Sequence, residues 1–165
     1  MNIKRLRAIL WILCCVWMTV IFLFSSQNGE ESAKLSGGIT EEVVKIVVDD
    51  YEKLSASEQT ACLNRASFLV RKLAHFSEFA LLGFLFFLLV KSYKKSNRAA
   101  MLIACISGTL YAVTDELHQF LSDGRSPQVF DVCIDSAGVL SGTVFGLIVI
   151  FLLHLIDKKR GKALI

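Results

Sequence analysis

The chain has 165 residues, of which 54% are hydrophobic and 20% charged, with one proline and a formal net charge of +3. That length fits a single domain, residues 1–165, but so much apolar sequence in long runs excludes an ordinary soluble one. A nucleic-acid partner is excluded too, because the basic residues stand in short clusters beside apolar runs and form no stripe.

In chain order, MNIKRLR precedes a first apolar segment at residues 8–26. It imitates a signal peptide, but its apolar stretch is longer than a usual h-region and the SSQNGE that follows lacks an A-x-A site. Leu13 before Cys14 argues against a lipoprotein cysteine, so the segment reads as a retained helix. Residues 27–70 form a long connection with its own pattern. Val43, Val44, Val47, Val48, Tyr51 and Leu54 recur at helical spacing, while Glu41, Glu42, Lys45, Asp49 and Glu52 take the other face. This predicts an amphipathic helix on the membrane surface or over the bundle. Its acidic face disfavours attraction to anionic lipid, which favours a lid. Ser55-x-x-Glu58 matches a capping box and predicts a further helix leading into the next span.

The remaining spans are expected at residues 71–90, 99–120 and 130–156, each long enough to cross a bilayer. The short link at 91–98 makes the second and third antiparallel. The turn at 121–128, with Asp123-Gly124 and Pro127, does the same for the third and fourth. The fold class is therefore an all-α membrane protein of four transmembrane helices, with an amphipathic helical segment in the first outer loop. Of five cysteines, Cys14, Cys15 and Cys105 lie within apolar runs as small hydrophobes. Cys62 and Cys133 give weak grounds for a disulfide, and no CxxC pair supports a zinc or redox site.

Short-loop basic residues set the orientation. Lys4, Arg5 and Arg7 precede the first span; Lys91, Lys94, Lys95 and Arg98 fill the second connection; Lys158, Lys159, Arg160 and Lys162 follow the fourth span. All three groups fall on one side of a four-helix arrangement, which predicts cytoplasmic N and C termini.

Ten polar side chains then reach the opposite side: Arg71, Lys72, His75, Glu78, Asp115, Glu116, Gln119, Arg125, Asp131 and Asp135. Counted from the inner ends of their helices, Glu78 lies roughly 18 Å up, Asp115 roughly 24 Å and Asp135 roughly 30 Å, in a hydrocarbon core of about 30 Å. Helical spacing puts Arg71, His75 and Glu78 on one face, Asp115 and Gln119 on another, and Asp131, Asp135 and Gly138 on a third. Each has a plainer reading. Arg71 and Lys72 could snorkel, His75 or His118 could be packing histidines, and Asp131 and Asp135 suit a helix N-terminus. Asp115 and Glu116 are acids near a helix C-terminus, where the dipole disfavours them. Glu78 is the hardest to explain by snorkelling, because a carboxyl at that depth must protonate or find a cation. Gly138, Gly142 and Gly146 continue the face of Asp135 inward and would let another helix approach closely.

The same blocks resemble the VanZ-like family of small multi-pass membrane proteins, named for a protein linked to teicoplanin resistance. IFLFSSQ at 21–27, RKLAHFSEF at 71–79 with Gly83, TDELHQFLSDGR at 114–125 and DVCIDSAGVLSG at 131–142 are similar to its blocks in order. Residues 28–65 carry no assignable family signature. The resemblance implies a role at the bacterial cell surface, in glycopeptide susceptibility or envelope polymers, and no settled reaction.

Three functions compete. In the first, the ten residues bind an anionic headgroup of a membrane lipid, a lipid-linked glycan or a teichoic-acid-type ligand, with Arg71, Lys72 and Arg125 on phosphate. In the second, the chain is an intramembrane hydrolase or transferase acting on a phospholipid or lipid-linked cell-wall intermediate. Glu78 or His75 would be its general base, and Asp115, Glu116, Asp131 and Asp135 would hold a divalent cation. No HExxH is present, and Ser107 and Ser141 have no assigned base. In the third, the chain is a proton-coupled carrier, which the apolar inner stretches Phe84 to Val90 and Val144 to Leu153 disfavour. Cofactor, metal and oligomeric state are left open by the sequence; the first function fits it best.

Overall fold

The computed structural model describes residues 2–26, 29–48, 50–123 and 129–159. These residues form five α-helices and no strand: α1 (Ile3–Ser25), α2 (Gly29–Val47), α3 (Ala56–Ser92), α4 (Asn97–Asp123) and α5 (Val129–Lys159), with a 3₁₀ turn at Tyr51–Lys53. Four of them, all but α2, are long and apolar enough to cross a membrane. Their outward faces are inverted relative to a soluble protein. Trp11, Leu102, Leu110, Phe145 and Phe151 are each more than half exposed. Contiguous apolar surface on this scale requires a cover, and for a multi-pass membrane protein that cover is lipid.

Helix α3 is the hub and packs against each of the other four. It begins where the sequence signals it. The Ser55 hydroxyl accepts from the Glu58 amide while the Glu58 carboxylate accepts from the Ser55 amide at 2.9 Å. From there it runs unbroken for 37 residues, about 55 Å. Roughly 20 residues suffice to cross the hydrocarbon, so its first turns extend well beyond the span. There they pair with α2, which buries Thr40 and Val44 and joins α3 through a left-handed Asp50. On the solvated face of α2, Lys45 hydrogen-bonds Glu41 at 2.7 Å and holds that carboxyl below its usual range. The amphipathic segment thus has α3 as its main partner. The Asp49 position lies outside the described residues.

Packing within the bundle follows side-chain size. Gly83, Gly138 and Gly142 let the backbones of α3 and α5 come together: a Cβ at Gly138 would sit 2.4 Å from the Phe76 carbonyl oxygen. Helix α1 buries Leu10, Cys14, Ile21 and Ser25, a stripe at spacings of four and seven. Ile21, Phe79, Leu82, Ala112 and Val139 form the largest of the buried apolar clusters, drawn from all four spanning helices. All five cysteines are free thiols.

The ends of the bundle differ sharply. The Arg7 guanidinium donates to the Ser92 carbonyl oxygen at 2.9 and 3.2 Å and stacks over the Tyr93 ring, tying the start of α1 to the end of α3. Asn97 and His154 line one apolar cavity of about 570 Å³, which places the start of α4 beside the last turns of α5. Lys4, Arg5, Arg7, Lys91, Lys94, Lys95, Arg98, Lys158 and Lys159 therefore gather at one end. A tight turn with left-handed Lys94 closes α3 onto α4 there. Arg160 and Lys162 lie outside the described residues. The polar side chains of the candidate site belong to the other end.

Candidate functional site

The site is assembled from the last turn of α1, the middle of α3, the last third of α4 and the first two turns of α5. Asp115 is its best-held member. Its Oδ2 accepts from the Ser25 hydroxyl at 2.7 Å and from the Gln119 amide at 3.0 Å. The Gln119 contact is the i,i+4 pairing expected on one helix face, and the same amide reaches the Ser25 oxygen at 3.3 Å. Asp115, Glu116, Gln119 and Asp135 are all buried. The second oxygen of Asp115, Oδ1, is buried and accepts no hydrogen bond from the described residues.

Across from Asp115 stand His75 of α3 and Asp135 of α5. His75 Nδ1 lies 4.0 Å from Asp135 Oδ1. One ligand-capable atom from each of His75, Asp115 and Asp135 lies within 4.8 Å of the others. One turn further out, Lys72 forms an ion pair with Asp131, and its ammonium sits 5.2 Å from the Phe68 ring centroid. Asp131 stands in the first turn of α5, where the helix dipole favours a negative charge. Arg71 is half-buried beside Lys72. Glu78 is half-buried a turn inward of His75, and its backbone oxygen accepts from the Trp17 indole at 2.9 Å. Arg125 lies outside the described residues, as does most of the turn that carries it.

Two differences from the sequence reading have physical causes. Depth along the membrane singles out Glu78, but lateral packing buries Asp115 and Asp135 more completely, each to 3% exposure. Depth counts residues along an axis, whereas burial depends on which way the helix is turned. The second difference is α1, which sequence reasoning left out of the site. Ser25 supplies the hydrogen bond that fixes Asp115. The available signal was a Ser-Ser-Gln run ending an apolar helix at the same level as the other polar groups.

Ser26 and His118 also meet, Oγ to Nε2 at 3.1 Å, with His118 stacked on Phe22. The Ser26–His118 pair joins the C-terminal cap of α1 to α4, and the Ser26 hydroxyl also lies 2.7 Å from the Phe22 carbonyl oxygen. Together with the hydrogen bond from Tyr111 to the Met18 carbonyl at 2.6 Å, the pair docks α1 against α4.

The ordered polar blocks on four spanning helices match a known family model, described as VanZ/LLP1, over residues 10–153. The chain belongs to the VanZ-like family. No curated protein and no solved structure matches it. In this VanZ-like chain, all four family-like blocks contribute to one polar end of the bundle. The matched residues span most of the chain and include every candidate site residue.

Proposed function

We propose that this VanZ-like membrane protein binds the phosphate-bearing headgroup of an anionic lipid or lipid-linked glycan at the polar end of its bundle. The polar end faces the outside of a bacterial cytoplasmic membrane. Through that ligand, which includes teichoic-acid-type polymers, the protein influences envelope properties or susceptibility to glycopeptides such as teicoplanin. The observation that carries the reading is the placement of Arg71 and Lys72. Both are half-buried on α3 immediately outward of the His75–Asp115–Asp135 cluster, with Lys72 oriented by Asp131. Cations fixed at the edge of a bilayer recognise phosphate through charge-assisted hydrogen bonds, while acyl chains lie along the exposed apolar helix faces. The outward direction is supported by the basic residues collected at the opposite end.

Orientation is tested in intact cells with a membrane-impermeant maleimide on a cysteine-free background. Ser57→Cys, at the exposed start of α3, is expected to label, and Lys158→Cys, at the exposed end of α5, is not. The reverse pattern would place the site on the cytoplasmic face. Headgroup binding is tested on the purified full chain with undecaprenyl phosphate and phosphatidylglycerol, using phosphatidylcholine as the zwitterionic comparator. Arg71→Ala and Arg125→Ala are each expected to weaken binding of the anionic probes by about tenfold or more, the worth of a charge-assisted hydrogen bond. Equal affinity in both variants and the parent would defeat the headgroup reading. Binding by undecaprenyl phosphate alone would select the lipid-linked carrier over the bulk phospholipid.

A further inference from the structure

We infer that His75, Asp115 and Asp135 form a binding site for one transition-metal dication, Zn²⁺ or Mn²⁺. The three residues come from α3, α4 and α5 and offer one nitrogen and two carboxylate oxygens within 4.8 Å of one another. Ligands about 2.1 Å from a tetrahedral metal stand roughly 3.4 Å apart, so side-chain movements of up to about 1.4 Å close the set on an ion.

An independent observation points to the ligand. Asp115 is 3% exposed, and its Oδ1 has no hydrogen-bond partner among the described residues. A buried carboxylate oxygen left unpaired costs free energy, more so for a charged group. The other oxygen of the same carboxylate is held by Ser25 at 2.7 Å and Gln119 at 3.0 Å. One oxygen held by two donors and the other left without one matches a carboxylate oriented by its neighbours for a ligand.

Charge supports the same assignment. Asp115 and Asp135 are both buried in a bundle that lies in lipid, where two carboxylates need compensation. A dication balances two carboxylates, and a neutral imidazole adds a ligand without adding charge. The imidazole also selects the metal. Magnesium and calcium sites are built from oxygen, whereas mixed nitrogen and oxygen donors suit Zn²⁺ or Mn²⁺. Three protein ligands leave at least one coordination position for an external oxygen atom, from water or phosphate.

The test uses the full chain purified in detergent, treated with chelator and dialysed, with no lipid ligand added, so its outcome is separate from headgroup binding. Zn²⁺, Mn²⁺ and Mg²⁺ are added singly and the metal retained after gel filtration is measured. The expected result is one Zn²⁺ or Mn²⁺ per chain and no retained Mg²⁺. Asp115→Asn and Asp135→Asn, isosteric and checked for an unchanged elution profile, are expected to weaken retention by about tenfold or more. Glu58→Gln, exposed at the far end of α3, leaves it unchanged. Co²⁺ added to the parent protein gives a visible absorption band that Zn²⁺ abolishes, a readout independent of any variant's folding. Absence of retained Zn²⁺ and Mn²⁺ in the parent overturns the assignment, as does undiminished retention by both Asn variants. Equal retention of Mg²⁺ overturns the choice of a transition metal.

Discussion

Gly142→Ala is expected to unfold the bundle or leave it severely destabilised. A Cβ at this position would sit 1.7 Å from the Ala80 carbonyl oxygen and 2.6 Å from its carbonyl carbon. The obstruction is helix backbone, which cannot rotate away as a side-chain tip can. Gly138 and Gly83 make the same approach two rungs along the seam, to Phe76 and Val139, so α5 cannot shift outward at one point alone. Overpacking usually costs about 1–3 kcal/mol, and this site belongs at or above the top of that range. Native proteins are stable by only about 5–15 kcal/mol, so the loss is visible as a lower melting temperature and aggregation in detergent. Gly37→Ala is the matched control. Nothing lies within 4 Å of its Cβ position in the body of α2, and it is expected to stabilise by roughly 0.5–1 kcal/mol. Similar melting temperatures for Gly142→Ala and the parent would show that α3 and α5 do not pack this closely.

Phe79→Ala is expected to produce the second-largest loss. Phe79 is fully buried, with its ring centroid 6.1 Å from that of Tyr111, in the cluster that joins all four spanning helices. Truncating a buried phenylalanine costs about 3–5 kcal/mol in soluble cores, from lost transfer energy plus the cavity left behind. In lipid the transfer part shrinks, because the alternative surroundings are also apolar, but the lost dispersion contacts remain. The expected effect therefore lies near the lower end, about 3 kcal/mol. Leu102→Ala, on the lipid-facing side of α4, is expected to change stability by less than about 0.5 kcal/mol. Thermal unfolding in one detergent at one protein concentration compares the two. Equal melting temperatures would contradict the placement of Phe79 at the centre of the bundle. Phe79 lies one helical turn from His75, so its cavity should also loosen the site.

The polar end was legible in the sequence to the extent that chain connectivity determines it. Short links at 91–98 and 121–128 leave little choice about which helix ends meet, so Glu78, Asp115 and Asp135 had to lie toward the same end of the bundle. The glycine spacing on α5 was legible as a packing face, because small residues at intervals of four have one common use between apolar helices. The capping box at Ser55 and Glu58 was legible because it depends on four consecutive residues. Arg71 and Lys72 read alike in the sequence, yet in the bundle Lys72 pairs with Asp131. That choice depends on the rotation of α3 about its axis, which neighbouring residues do not encode locally.

By itself, the sequence determined an all-helical chain with four membrane-length spans, a family, and a set of polar groups delivered to one end. These follow from properties measured along the chain: run length, spacing, loop length and the order of short blocks. Only the tertiary structure decided that Asp115 and Asp135 are buried more completely than Glu78, that Ser25 of α1 completes the site, and that His75, Asp115 and Asp135 converge within 4.8 Å. The physical reason is that burial and convergence depend on helix rotation and crossing. In this chain they are set by the backbone contact of α3 with α5 through Gly83, Gly138 and Gly142.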